Sequence, residues 1–240
     1  MISVCMAVFN GERYLEEQLR SIRVQLANDD ELIIVDDCSR DGSVALIRRL
    51  EDPRIKLLQN EANLGPAASF ERAFSLARGQ YIFFSDQDDI WEPDKVVTMC
   101  GIFKSSNPLV VVSDARVVDA HRKILMDSIF RLRGSRPGFW RNLYRNGFVG
   151  CCMAVRCDAK SFLLPFPRAV SMHDEWIGLC SSLAGNVEFT GHKLIDYRRH
   201  SANATHLTHG SLASMLRKRL TLLLVVLRRL PRIIFWRSRQ

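Results

Sequence analysis

Three carboxylates fall within four positions, Asp86, Asp88 and Asp89 around Gln87, directly after the apolar run Tyr81-Ile82-Phe83-Phe84. Side chains alternate along an extended backbone, so Asp86 and Asp88 are expected to point the same way. Hard oxygen ligands at the tip of a buried strand suit Mg²⁺ or Mn²⁺ and leave room for phosphate oxygens and water. Crowded like charges are costly unless a cation neutralises them. The competing reading is a solvated acidic loop leading into a helix near Pro93, because carboxylates favour helix N-termini. Asp174 poses the same choice. It lies in Met172-His173-Asp174-Glu175-Trp176, just ahead of a helix expected over residues 175–183. It can cap that helix, accept a proton in catalysis, or do both.

The elements that would position these groups are legible in the first half of the chain. Residues 2–9, 32–35, 55–58 and 81–84 read as strands. Between them Leu15, Leu19 and Ile22, then Leu46, Ile47 and Leu50, then Phe70, Ala73, Phe74 and Ala77 recur at helical spacing. Asn10-Gly11 and Asp41-Gly42-Ser43 open the first two helices, and Gly79 stands where the third would be capped. Regular alternation of strand and helix predicts right-handed crossovers and a parallel sheet covered on both faces. In such sheets ligands bind beyond the carboxyl ends of the strands. Those ends carry Phe9-Asn10, Asp36-Asp37, Asn63-Leu64-Gly65 and the Asp86 cluster.

Beyond residue 105 the pattern is less regular. Residues 109–112 and 117–118 read as strands flanking Asp114, residues 131–145 as a basic mobile loop, and residues 150–155 as a strand. Residues 187–190 and 194–198 read as two short strands before the polar exit Arg199-His200. Neither a G-x-G-x-x-G nor a G-x-x-x-x-G-K-[ST] phosphate loop occurs, so phosphates would be held through a metal bridge.

At 240 residues, 47% hydrophobic and 25% charged, the chain can bury a core as one α/β unit with an appendage. The seven cysteines show no C-x-x-C spacing, so reduced thiols in the cytoplasm are expected. No signal peptide is expected from the first residues, and the longest apolar run, Leu222 to Leu227, is far below the ~20 residues of a spanning helix. The net charge of +8 resides wholly in residues 211–240, which hold eight Lys and Arg and no acid. The body is neutral, which argues against nucleic acid as partner.

These motifs together resemble the inverting glycosyltransferases of family two, with the single-domain GT-A fold. The resemblance covers residues 1 to about 203. It rests on residues 3–10 (SVCMAVFN), 34–43 (IVDDCSRDGS), Asn63-Leu64-Gly65, 85–91 (SDQDDIW) with Pro93-Asp94-Lys95, Gly150-Cys151-Cys152, and 172–176 (MHDEW). The forms SDQDDIW, MHDEW and Tyr197-Arg198-Arg199-His200 are most similar to the rhamnosyltransferase-like branch, which includes enzymes of cell-surface polysaccharide assembly. The resemblance implies a nucleoside diphosphate sugar donor, dTDP-rhamnose first and a UDP-sugar next. It implies Asp88 as main metal ligand, Asp86 on metal or ribose, and His200 completing the metal shell or touching the diphosphate. Phe9 would stack on the base, the Ala7 backbone read its edge, and Asp37 accept the pyrimidine N–H. Asp41, Gly65 and Gln87 would line the nucleotide, and Asp174 would be the general base. His173 would orient the acceptor or be structural. Cys151 and Cys152 would pack beneath the sugar.

The expected acceptor is a saccharide or lipid-linked hydroxyl. Domain limits of 1–205 for the transferase and 206–240 for a basic amphipathic tail are expected. In the tail Leu216, Leu220, Leu223, Leu227 and Leu230 form one stripe, and Pro231 interrupts the helix. A basic amphipathic helix suits an anionic bilayer, peripheral on the cytoplasmic face. Packing on the domain, or on a second subunit in a homo-oligomer, is the alternative. Two other functions compete, a nucleotidyltransferase and a non-catalytic nucleotide-sugar-binding or scaffold protein.

Overall fold

The alternating first half winds into a parallel sheet. A computed structural model describes residues 1–200 and 212–239. Strand β1 (Ile2–Val8) lies between β2 (Glu31–Asp36) and β4 (Tyr81–Ser85), and β3 (Ile55–Gln59) pairs beyond β2, all in parallel. The crossovers are α1 (Glu12–Arg23), α2 (Ser43–Arg49) and α3 (Pro66–Leu76). All of β2 and β4, and all of β1 except Ala7, is buried, as expected where helices cover both faces.

The second half turns the sheet mixed. It comprises β5 (Ile90–Trp91), α4 (Lys95–Ser106), β6 (Val110–Val118), β7 (Ile124–Met126), α5 (Ile129–Arg133) and α6 (Phe139–Tyr144). These are followed by β8 (Met153–Arg156), α7 (Lys160–Leu163), α8 (His173–Ala184), β9 (Val187–Arg198) and α9 (Leu212–Arg237). The sheet order is β3-β2-β1-β4-β8-β6-β9-β5, with β7 against β6. β8 runs antiparallel to both β4 and β6, while β9 is parallel to β6 and antiparallel to β5.

Several local expectations are corrected. Strand β6 runs unbroken through Asp114, with register shifts on either side of it, and β9 is likewise one strand. The segment 150–155 begins as a 3₁₀ turn at Gly150–Cys152 before β8. The basic segment 131–145 is not a mobile loop; it is built around α5 and α6. Asp114 explains the first of these helices. Its carboxylate accepts from the Ser128 hydroxyl at 2.6 Å and the Phe130 N–H at 3.0 Å, and Ser128 in turn caps α5 through the Arg131 N–H. An anchor some 15 residues away leaves no trace in local periodicity.

Helix α9 also runs straight through Pro231. The hydrogen bond that a proline forfeits there belongs to an exposed face, where the freed carbonyl is open to solvent. The opposite face of α9 packs on the domain through Leu222, Val226, Arg229 and Ile233. Arg229 donates to the carbonyls of Phe162, Leu164 and Pro165, closing the end of α7, and stacks 5.0 Å from the Trp176 ring centre.

Gly79 is not a helix cap, since α3 ends at Leu76. It serves a close approach instead. Its N–H donates to the Ser3 hydroxyl at 2.7 Å, and that hydroxyl donates to the buried Glu31 carboxylate at 2.6 Å. A Cβ at position 79 would stand 2.3 Å from the Ser3 nitrogen and 2.4 Å from the Ile2 carbonyl carbon. Backbone in the central strand cannot yield. Gly79→Ala is therefore expected to destabilise by about 3 kcal/mol, the upper end for forced overpacking. The check is a lower urea midpoint at unchanged slope.

Candidate active site

All four parallel strands deliver polar residues to one edge. At the tip of β1, Phe9 is 44% exposed, and its backbone is clamped from both sides by Gln87. The Gln87 carbonyl accepts from Phe9 N–H at 2.8 Å, and its amide donates to Phe9 O at 3.1 Å. Ala7, half-buried, precedes this clamp in β1. An open cleft of about 380 Å³ lies beside Phe9, lined also by Asn10, Cys38, Arg40, Glu61, Ala62 and Asn63.

Asp37 is buried and already holds the loop that walls this cleft. Its Oδ1 accepts from Leu64 N–H at 2.9 Å and the Asn60 amide at 2.7 Å, and its Oδ2 from Gly65 N–H at 2.8 Å. One lone pair on Oδ2 is left for a ligand. Gly65 has φ of 85°, a left-handed conformation suited to glycine, and so presents its N–H to Asp37 at the start of α3. Asp41 binds Ser43 through both its N–H and hydroxyl and accepts from Glu12 N–H, joining the starts of α1 and α2. That network holds its carboxyl below the usual range against the opposing effect of burial.

Strand β4 stops at Ser85, so strand alternation does not orient the acidic run. Residues 86–89 bend, and their side chains part into two groups. Asp86 and the buried Asp89 bring carboxylate oxygens to the Cys151 thiol, all within 4.8 Å of one another. Asp88 turns to His200, whose Nε2 lies 2.8 Å from Asp88 Oδ2. His200 in turn packs against the Tyr14 ring at 4.7 Å between centroids. The groups remain close. Burial, then the charges of Asp88 and Asp174, push the Asp86 carboxyl up to about 7. Burial, with Asp88 and Asp86, pushes Asp89 well above the carboxylate range too.

Cations that had no assigned role in the sequence reading hold this acidic bend. Arg198, at the end of β9, donates from Nε to Asp88 O at 2.9 Å, from its backbone N–H to Asp89 Oδ1 at 2.9 Å, and from Nη2 to Glu17 at 2.6 Å. Its guanidinium lies 4.6 Å from the Tyr14 ring centre. Lys95 is wholly buried at the start of α4, donates to Cys151 O at 2.8 Å and sits 4.7 Å from the Trp91 ring centre. Burial lowers its ammonium to about 8. Gln18 bonds Ser85 Oγ and Asp86 O from α1. Tyr14 and Gln18 are four apart beside the Leu15–Leu19 stripe, a polar pair on a buried helical face that could have flagged them.

Asp174 lies in the first turn of α8, not ahead of it, and Met172 occupies the cap position. Its Oδ1 accepts from the Glu175 N–H at 2.7 Å, and the Asn146 side chain and Gly150 backbone lie close by. Burial raises its carboxyl, with the Arg133 charge and these neighbours opposing. Asp174 lies against Gly150, next to the Cys151 thiol that Asp86 and Asp89 approach, and its charge acts on Asp86. Cys151 and Cys152 are buried beneath this region, and Trp91 and Trp176 are core residues.

The residues fit a divalent cation. Asp86 and Asp89 bring carboxylate oxygens within 4.8 Å of each other and of the Cys151 thiol, and Asp88 lies near enough for its charge to act on Asp86. The surplus of buried negative charge around Asp86 also calls for a cation.

Comparison with known proteins agrees with this architecture. Residues 3–162 match the model of the family described as Glycosyl transferase family 2. The chain is 26% identical over 168 residues to the Escherichia coli UDP-Glc:alpha-D-GlcNAc-diphosphoundecaprenol beta-1,3-glucosyltransferase WfgD, covering 69% of this chain and 64% of that protein. It superposes on Staphylococcus aureus TarS 1-349 in complex with UDP with a TM-score of 0.72 at 20% identity, covering 94% of this chain and 64% of that one. A mannosyltransferase from Pyrobaculum calidifontis, in complex with GDP-Man and Mn²⁺, gives 0.63 at 18% identity, covering 98% and 73%. The chain thus spans under two thirds of the length of the first two. The fold is the α/β GT-A type, a curled mixed sheet flanked by helices.

His173, buried next to the candidate base, stacks on Phe70 at 3.9 Å between ring centroids and tilts against Phe84 at 5.2 Å. Burial drops its imidazole to about 3. Between its ordinary 6.5 and that value the unfolded chain binds a proton that the folded chain refuses. Stability is therefore expected to fall as pH drops through this window, and His173→Gln to flatten that slope. Urea unfolding from neutral to acid pH, with imidazole NMR of His173, provides the check.

Proposed function

The chain belongs to glycosyl transferase family 2, and from that premise we propose that it is an inverting, metal-dependent glycosyltransferase of cell-surface polysaccharide assembly. The donor is a pyrimidine nucleoside diphosphate sugar, dTDP-rhamnose in the first instance and a UDP-sugar next. The acceptor is a hydroxyl of a saccharide or a lipid-linked saccharide, met at the cytoplasmic face of a membrane. One observation carries this reading: Asp174 lies against Gly150, and the neighbouring Cys151 thiol stands within 4.8 Å of the Asp86 and Asp89 carboxylates, so a proton acceptor and a phosphate-side acidic cluster share one region.

The residues divide the work across that region. Phe9 offers an exposed ring for the base, beside the Ala7 backbone, with Asp37 and Gly65 shaping the opposite wall. Asp41 acts through the α1 and α2 termini that it joins, and Gln87 through the Phe9 backbone that it clamps. Asp88 and His200, with Asp86, would hold Mg²⁺ or Mn²⁺, which supplies a Lewis acid against the leaving diphosphate. Asp174 takes the proton from the acceptor hydroxyl as its oxygen bonds to the sugar carbon and the bond to the diphosphate breaks on the opposite face. Arg133 opposes the burial that would otherwise protonate this base. The SDQDDIW, MHDEW and YRRH forms support rhamnose. TarS in complex with UDP-GlcNAc, a protein of the same fold, supports a pyrimidine donor.

Asp174→Asn and Asp88→Ala are each expected to lower transfer about a thousandfold, read as nucleoside diphosphate released with a donor and acceptor panel. The acid limb of kcat/KM should lie above the ordinary aspartate range, because burial raises Asp174 and only its ionised form accepts a proton. Near wild-type transfer by either variant removes the mechanism. Pyrophosphate release from a nucleoside triphosphate would instead mark a nucleotidyltransferase. Thermal stabilisation by nucleotide sugars should require the divalent ion and peak with a dTDP- or UDP-sugar. It should vanish in Asp88→Ala. Stabilisation without metal, or a preference for purine donors, contradicts the assignment.

A further inference from the structure

Helix α9 has two apolar faces, and only one of them is used by the domain. Leu222, Val226 and Ile233 are buried against the body. On the opposite side Leu216 is 73% and Ile234 63% exposed, with Leu220, Leu224, Leu227 and Phe235 exposed between and beside them. At 100° per residue these six fall within a sector of about 100° running the length of the helix. Leu216, Leu220 and Leu227 belong to the stripe that periodicity alone picks out, so three of its five leucines are left exposed by the fold.

Charge singles out the occupant. Residues 211–240 contain eight Lys and Arg, residues 128–146 five more, and neither stretch contains an acid. Without those thirteen, 21 Lys and Arg remain against 26 Asp and Glu, so the rest of the chain is acidic. The two basic segments adjoin, because α6 packs beside α9. Helix α6 also carries the exposed aromatic side chains Trp140 and Tyr144. Arg217 and Arg228 flank the leucine sector, and Lys218 is exposed further round the helix. A second copy meeting this face by a two-fold axis would bring like charges together, whereas an anionic bilayer is complementary to it. Among the described residues no helix is long and apolar enough to cross a membrane.

We propose that the outward face of α9, with the adjoining α6, is a docking surface for an anionic lipid bilayer. The same helix is tied to the acceptor side of the cleft. Arg219 of α9 pairs with Glu175, the neighbour of Asp174 in the first turn of α8. Docking would therefore hold the base-bearing end of α8 about one helix diameter, ~10 Å, from the lipid surface, within reach of a hydroxyl on a lipid-linked saccharide. This last consequence rests on the glycosyltransferase reading; the docking itself does not.

The test is co-sedimentation of the full chain with vesicles of phosphatidylcholine, with and without phosphatidylglycerol. Binding is expected with the anionic vesicles and to weaken with added salt. Leu220→Glu/Leu227→Glu/Ile234→Glu alters only exposed positions, and is expected to reduce binding at least about tenfold with an unchanged melting temperature. Arg217→Gln/Lys218→Gln/Arg228→Gln should weaken binding to anionic vesicles while leaving turnover of a water-soluble acceptor intact. A wild-type chain that stays off anionic vesicles, or a glutamate variant that binds as well as wild type, overturns the proposal. So does a solution dimer that the glutamates dissociate, which would assign the face to a second copy. Vesicle binding is read without turnover, so failure of the transferase reading leaves it standing, and failure of docking leaves transfer to soluble acceptors untouched.

Discussion

Mutual repulsion among carboxylates governs the design of this protein. Asp86, Asp88, Asp89 and Asp174 converge on one end of the sheet, and at least two of them are driven towards protonation by burial and by one another. A chain that gathers so much negative charge must hold it mechanically. Arg198 does so most directly, reaching the main chain at Asp88 and the side chain of Asp89 from the last strand. Lys95 lies close by, bonded to the Cys151 carbonyl, and the charge of Arg133 acts on Asp174. The residual negative charge is what a divalent cation would neutralise.

The frame that resists this repulsion is ordinary α/β packing put to an uncommon use. Four parallel strands with buried crossovers bring their carboxyl ends into register, and β9 then returns alongside β6 to deliver Arg198 and His200 to the acidic bend. Loops are pinned by side chains that would otherwise look free to bind ligand. Asp37 holds the turn before α3, Asp41 joins two helix starts, and Asp114 organises the start of α5. Carboxylates in this protein thus do two different jobs. Those bonded to loop and helix-start N–H donors shape the walls, and others crowd together at the strand ends.

A similar division runs through the basic residues. Arg198, Lys95 and Arg229 are buried and bond carbonyls or acids, stiffening the domain. The arginines beside the exposed leucines of α9 bond little of the body and give one side of the molecule its charge. Net charge alone would not distinguish these roles; burial does.

The amino-acid sequence by itself determined the first half of the fold and the edge where chemistry gathers. Strand and helix periods are local properties, and consecutive β-α units leave one topology open, so Phe9, Asp37, Gly65 and the Asp86 cluster could be brought together on paper. It equally determined that the basicity lies in the tail. Tertiary structure decided what depends on partners distant along the chain. The parting of Asp86 from Asp88 follows from the end of β4 at Ser85 and from His200, 112 residues later. The helices of segment 131–145 follow from Asp114, the glycine at 79 from the main chain of β1, and the orientation of α9 from a second apolar face at a different helical angle. Periodicity reports that a face is apolar. Only packing decides which of two such faces the protein keeps for itself.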